Sequence, residues 1–370
     1  MRRNVQVAAG IAVSAVCLGL ALRGLKLGEV GRALADAGYG WLLPALALYF
    51  AGVWVRAVRW RHLLRPLGDV PSARLFPVVV IGYMANDVLP ARLGEFARCY
   101  VLRRREGIPP AAALGTVLLE RVMDGFTMLA FMAVTLPLLP SSPDDYRMMG
   151  AAAALFLAVA AALVLLATRP ALAARLVAAA VRPLPPAPAA RLRDLAVTFV
   201  GGLAALGGAG ATLRIFGLSC AAWLLEAGMY FTLMFAFPLA PSLPLAILTT
   251  AVANLGTLIP SSPGYVGVFE YLGQSVVARF GIPLTSMAPE SWKSSALAYV
   301  LVVHAALVVP VTLLGFYYAW REGVALTRLA RPTRADPPNG RPPPGIVPSQ
   351  TSPRLQTSDF RLQTSDRDAW

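Results

Sequence analysis

Residues 86–98, Asn-Asp-Val-Leu-Pro-Ala-Arg-Leu-Gly-Glu-Phe-Ala-Arg, running on through CYVLRRRE to Gly107, are the stretch whose reading decides the fold. They follow Pro77-Val78-Val79-Val80-Ile81, a run apolar enough for lipid, yet they hold Pro90, two glycines, a carboxylate at Glu95 and several arginines. Proline removes a backbone donor and turns the residue before it away from helix, so the helix entering at 77 breaks here. Backbone groups freed at membrane depth persist only where protein or a watery cavity satisfies them. A broken helix that carries charge is therefore a candidate site.

The rest of the chain confirms the lipid setting. Of 370 residues, 57% are hydrophobic and 14% charged, mean hydropathy is +0.62, and apolar runs recur from Val5 to Trp320. That excludes an ordinary soluble domain and predicts an all-α, polytopic membrane protein. Lys and Arg outnumber Asp and Glu by 33 to 19, but the arginines gather at the ends of apolar runs. Such placement is topological, so no nucleic-acid partner is expected. Cys17, Cys99 and Cys220 are scattered and give neither a disulfide framework nor metal-ligand spacing. No metal or other cofactor is expected.

Charge placement then sets the spans. Residues 5–22 follow Arg2 and Arg3, which put the N-terminus in the cytoplasm; 23–38 form a mixed segment along the outer interface; 39–64 return to the cluster RAVRWRHLLR. Arg56, Arg59, Arg61, Arg65 and Arg74 precede the apolar stretch 75–102, and Arg103, Arg104 and Arg105 follow it. One helix of about 42 Å would put these flanks on opposite sides, whereas a re-entrant hairpin keeps both in the cytoplasm, with two tight full spans as the alternative. Spans at 111–139, 148–167, 213–237 and 294–320 follow, with a Pro/Ala linker near 182–193, a weakly apolar interfacial stretch at 195–211 and a second broken stretch at 245–281. The expectation is about six full spans plus two broken-helix hairpins in a membrane domain over 1–325. Residues 326–370 are Pro/Ser/Arg-rich, repeat RLQTSD and hold too little apolar surface for a core, so a disordered cytoplasmic tail is expected.

The two interruptions resemble each other. Asn86, Leu89-Pro90 and Gly94-Glu95-Phe96 correspond to Asn254, Ile259-Pro260 and Gly267-Val268-Phe269-Glu270, with Pro263 and Gly264 in the second break. Charge counting brings one in from each side, the pattern of an inverted repeat whose half-helices meet near the midplane. Between them Glu120 and Asp124 lie one helical turn apart, with Arg121 adjacent. Two readings stand for this cluster: a salt bridge with Arg98 or Arg92 that locks helices together, or a polar cavity for a charged headgroup. Glu226 sits alone in an apolar span, which implies pairing, protonation or a cavity face. His304 is either a helix contact or a site group, and Glu95 and Glu270 also suit helix N-termini through the dipole. Ser261 and Ser262 lack the surroundings of a nucleophile.

NDVLPARLGEFARCYVL, then ERVMDGF, then IPSSPGYVGVFE, resemble the membrane region of lysylphosphatidylglycerol synthases and of related stand-alone flippase-like proteins. The resemblance covers about 1–325. It implies a multi-span fold with lipid transport as the proposed role, and it matches Asn86, Pro90, Arg92, Gly94, Glu95 and Arg98 to the first motif. Glu120, Arg121 and Asp124 match the second; Pro260, Pro263, Gly264, Gly267 and Glu270 match the third. The synthases' aminoacyl-transferase domain has no counterpart in 326–370, so synthase activity is not implied, and His304 stands near a position where the family pattern carries arginine.

The expected function is a lipid translocator of the bacterial inner membrane, both termini cytoplasmic, moving a phospholipid or polyprenyl-linked lipid between leaflets. Arg92, Arg98 and Arg121 would attract an anionic headgroup, since guanidinium forks match phosphate oxygens. Glu95, Glu120, Asp124 and Glu270 would balance them or bind an amine or sugar hydroxyls, with Asn86, Glu226 and His304 completing the set. The alternative is a membrane transferase, or a subunit of one, acting on a lipid-linked intermediate; a scaffold for a neighbouring membrane enzyme is a third.

Overall fold

The computed structural model describes residues 2–89, 93–168, 175–176, 179, 209–259, 261–281 and 287–324. All of them fall in one compact unit, Met1–Arg334. The expectations for the 182–193 linker, the 326–370 tail, Pro90, Arg92 and Pro260 lie outside the described residues.

The described chain is all-helical. In order come α1 (Arg2–Leu22), α2 (Leu27–Ala35), α3 (Leu42–Leu64), α4 (Ser72–Val88), α5 (Gly94–Glu106) and α6 (Pro110–Thr135). Then follow α7 (Pro143–Thr168), α8 (Ala209–Met234), α9 (Leu243–Gly256), α10 (Val268–Phe280) and α11 (Pro289–Arg321). Three stretches are long and apolar enough to cross a membrane among the described residues: Tyr39–Leu64, Gly210–Met234 and Pro289–Arg321. A fourth is reached if Gly10–Leu22 and Leu27–Ala35, bent by 84°, count as one span, so the expected six are not met by length and composition alone. α6 has the length, but Glu120, Arg121 and Asp124 lie within it.

The stretch that opens the sequence reading folds as a hairpin. α4 ends at Val88 and α5 starts at Gly94, whose N–H donates to Asn86 Oδ1 at 2.8 Å. A Cβ at position 94 would collide with the Gly82 carbonyl oxygen and the Asn86 side chain, so only glycine lets the two helices approach this closely. At the open end Arg105 Nη1 donates to the Arg74 carbonyl at 3.1 Å, and Arg74 pairs with Glu106 at 3.3 Å. Residues 74 and 105 thus share one end of the bundle.

α9 and α10 form the second hairpin. Its turn uses Gly264 and Gly267 at φ 68° and 93°. Ser14 of α1 braces it: the Ser262 N–H donates to Ser14 Oγ at 2.8 Å, and a Cβ on Gly267 would strike the Ser14 carbonyl. Glu270 Oε2 accepts the Gly267 N–H at 2.6 Å and caps α10, the N-terminal role foreseen for it.

α11, 33 residues and about 50 Å long, fixes the relative sense of the hairpins. Near its C-terminus Glu322 pairs with Arg105 at 3.5 Å and the Gly323 carbonyl accepts from Arg104 at 3.1 Å. Near its N-terminus Trp292 Nε1 donates to the Ala278 carbonyl at 3.3 Å, and Glu290 pairs with Lys26 at 3.2 Å. The hairpins therefore enter from opposite ends of the bundle. Their tips meet, with the Asp87 carbonyl 3.5 Å from where a Gly264 Cβ would lie.

One part of the charge reading is corrected. Arg56 and Arg59, counted among the flanking arginines, are buried at 3% and 0% exposure, whereas Arg61 and Arg65 are exposed. The reason is periodicity: Tyr49, Val53, Arg56, Trp60 and Leu63 recur every three or four residues and form the buried stripe of α3. Arg59 flanks that stripe.

With the native cysteines replaced, single cysteines at 74 and 105 should react with an impermeant thiol reagent from one side of the membrane, and a cysteine at 279 only from the other. Labelling of 74 and 105 from opposite sides would overturn the hairpin.

Candidate functional site

α6 presents Glu120 and Asp124 one turn apart on a face that meets α3, α5 and α8. Glu120 accepts from three guanidinium groups: Arg98 through both Nη atoms at 3.1 and 2.9 Å, Arg59 at 3.0 Å and Arg121 at 2.9 Å. Asp124 accepts from Arg59 at 2.5 Å and from Trp223 Nε1 at 2.8 Å, and pairs with Arg121 at 3.5 Å. Arg59 also reaches Ser219 Oγ at 2.6 Å. At contact distance three guanidinium groups thus share two carboxylates, a net charge of +1, and Glu95 at the start of α5 acts on Arg121 through space. The Nε atoms of Arg59, Arg98 and Arg121 have no acceptor among the described residues.

Aromatic planes complete the packing. The Arg98 guanidinium lies 3.9 Å from the Trp60 ring, and Trp60 Nε1 is held by Thr116 Oγ1 at 3.1 Å. Arg56 lies 4.3 Å from the Trp223 ring and pairs with Glu226 at 2.7 Å. Asn254 Nδ2 donates to the other Glu226 oxygen at 3.3 Å, which ties α9 to the same assembly. Indole faces suit guanidinium because the ring quadrupole attracts a cation that water no longer screens.

Beside this network, where the hairpin tips meet, is a cavity of about 120 Å³. By order of magnitude it has room for several waters or a small polar group. Asn86 and Asp87 line it from the first tip; Tyr265, Phe269 and Asn254 from the second hairpin; Arg56, Arg121, Trp223 and Glu226 from the network; His304 from α11. Arg59 and Arg98 are sealed beneath, but the Arg121 side chain keeps 32% exposure. Across the cavity Asp87 accepts from Thr312 Oγ1 at 2.8 Å, and His304 Nδ1 lies 2.5 Å from Glu270 Oε1.

Of the residues singled out in the sequence, Asn86, Arg121, Glu226 and His304 line the cavity, and Arg98, Glu120 and Asp124 form the network below it. Glu270 reaches the cavity through His304. Glu95 opens α5, half-buried, and no ion pair to it is found among the described residues. Arg121, adjacent in sequence, bridges Glu120 and Asp124. Asp87, Arg56, Arg59 and Trp223 are additional. A signal existed for the two arginines, since both sit beside apolar positions in α3 rather than past its end.

Residues 7–315 match the family described as the lysylphosphatidylglycerol synthase TM region. Among curated proteins the chain is 31% identical over 135 residues to a glycosyltransferase, AglD, of Haloferax volcanii, covering 36% of this chain and 22% of that one. It is 29% identical over 127 residues to a UPF0104 membrane protein of Methanothermobacter thermautotrophicus, covering 34% and 37%. A UPF0104 membrane protein of Methanocaldococcus jannaschii is 28% identical over 110 residues, covering 29% and 33%. The chain thus aligns with less than two-fifths of the length of each of these relatives.

Removing a sealed member of the network strands its partners, at a cost of about 3–5 kcal/mol. Arg59→Gln should therefore abolish recovery of monodisperse protein from detergent. Arg121→Gln removes a cation that can be rehydrated from the cavity, so it should leave recovery within about twofold of the native protein, as judged by fluorescence-detected gel filtration.

Proposed function

The chain belongs to the lysylphosphatidylglycerol synthase TM-region family, and from that premise we propose that it is a multi-pass lipid translocator of the cytoplasmic membrane. The observation that carries the reading is the cavity between two opposed hairpin tips, faced by the half-exposed Arg121 of a network with one guanidinium in excess. An anionic headgroup that enters this cavity supplies the acceptor and the negative charge the network lacks. Charge-assisted bonds to a guanidinium fork are the strong kind, and they strengthen away from bulk water. The acyl chains stay in lipid, so only the headgroup has to be carried through the apolar layer.

The hairpins suit alternating exposure. Each closes the cavity toward one end of the bundle, and movement of one tip against α11 opens that end while the other stays shut. The re-entrant placement of both hairpins, a span count of about six and the inverted repeat all belong to this reading. The end bearing Arg61, Arg65, Arg74 and Arg103–Arg105 faces the cytoplasm, with both termini, in a bacterial inner membrane. α6 crosses with each of its charges held by an opposite charge in the shared network, as intramembrane charges are when they face a bundle interior. The other ligand roles are assigned to Asn86, Glu226 and His304 at the cavity, with Glu95 and Arg92 at the first break.

The glycosyltransferase relative favours a second reading, in which this membrane region serves a transferase by handling its lipid-linked substrate. The two differ in product. Purified protein in phosphatidylethanolamine vesicles with tail-labelled phosphatidylglycerol should move the label between leaflets and leave its chemical identity unchanged by mass spectrometry. Arg121→Gln should slow movement by about 10–100-fold, the equivalent of one charge-assisted hydrogen bond. Label that stays in place while a modified lipid accumulates would replace translocation with the transferase reading.

A further inference from the structure

We propose that the cavity takes up a proton together with the headgroup, at His304 Nε2 and Asp87, and that lipid movement is thereby coupled to a proton gradient. The inference rests on the translocation reading above.

The geometry around His304 fixes which nitrogen can act. Glu270 Oε1 faces Nδ1, while its other oxygen is engaged with the Gly267 N–H, so the carboxylate cannot swing away without uncapping α10. The Phe269 ring stacks on the imidazole at 4.3 Å and 22° and holds its plane. A carboxylate at Nδ1 keeps the ring hydrogen there and leaves Nε2 as the acceptor. Nε2 has no hydrogen-bond partner among the described residues, and His304 lines the cavity.

Asp87 is the second such group. Thr312 Oγ1 donates to it, and no ion pair to it is found among the described residues. The other charged groups that face the same cavity are held in ion pairs, with Arg121 alone belonging to the network that carries a guanidinium in excess, and the remaining titratable groups are phenols. Arg56 on α3 is held by Glu226 on α8, and Arg121 on α6 is held by Glu120 and Asp124. Tyr49, Tyr83 and Tyr265 contribute phenols from α3, α4 and the second turn. A phosphate arriving in this space repels the Asp87 carboxylate and attracts a proton to either group, so headgroup and proton bind together.

Both groups also anchor the hairpin tips to α11: Asp87 docks the first through Thr312, and Glu270 docks the second through His304, about 12 Å apart along the helix. Proton occupancy thus acts on the two contacts that a moving tip must break or keep. The proton comes from water on the acidic side, sits on the Nε2 lone pair or a carboxylate oxygen, and leaves to water on the other side.

The test uses the full chain in phosphatidylethanolamine/phosphatidylglycerol vesicles that carry a tail-labelled phosphatidylglycerol and a luminal pH dye, with and without a one-unit pH step. Label should accumulate in the leaflet on the alkaline side, toward a ratio of about tenfold per pH unit for one proton per lipid, with luminal pH changing in step. His304→Gln and Asp87→Asn should each lose the bias; the decision rests on the native protein, so a variant that fails to fold leaves it intact. Label that reaches the same distribution with and without the pH step, or accumulates on the acidic side, overturns the coupling alone. Label immobile in every arm overturns translocation and the coupling with it.

Discussion

Glu120 is the point on which the bundle depends. One carboxylate, almost fully buried, accepts from guanidinium groups on α3, α5 and α6, and Asp124 one turn below takes up two of the same arginines. Neither sign can stay charged in an apolar layer without the other, and attraction offsets desolvation only when the geometry is close and the remaining donors are met. The bidentate Arg98 pair, the Trp60 plane, the Trp223 N–H and the Ser219 hydroxyl provide much of that environment, while the Nε atoms of Arg59, Arg98 and Arg121 find no acceptor among the described residues. Helices that would slide freely on apolar contacts alone are thereby held in one register.

That locking and the proposed binding role are compatible because the network is uneven. Arg59 and Arg98 are sealed, and their charges hold the structure together. Arg121 belongs to the same network yet reaches the cavity, so its positive charge is available without any new desolvation. A site built this way is preorganised: the cost of burying the cation is met by folding, not by binding.

The opposed hairpins supply the other constraint. Gly94 and Gly267 each lie where a side chain would strike a neighbouring backbone, so each tip is shaped by close backbone approach. Besides the apolar packing of Met84 at Gly315 and of Val300 at Gly273, both tips reach α11 through polar contacts, Asp87 to Thr312 and Glu270 to His304. Polar contacts of this kind can exchange for water or ligand at a few kcal/mol, which is the range a moving element requires.

The sequence by itself determined the all-helical membrane class, the break near Pro90 and the return of 74 and 105 to one end, and it offered a salt bridge from Arg98 or Arg92 as one of two readings of the cluster at 120–124, which the tertiary structure resolves as Arg98 on Glu120. Each follows from local rules: apolar run length, proline chemistry, arginine placement and helical spacing. It also pointed to Glu226 as paired or cavity-facing, and the ion pair with Arg56 at the cavity wall is both. What it misread were Arg56 and Arg59, because an arginine near the end of an apolar run looks the same whether it faces headgroups or an ion-pair partner 65 or 170 residues away. Only the tertiary structure decides that, by bringing the α3 stripe against α6 and α8. The same holds for the cavity: Asp87, His304 and Arg121 are far apart in the chain, and the meeting of two hairpin tips over α11 is what places them around one space.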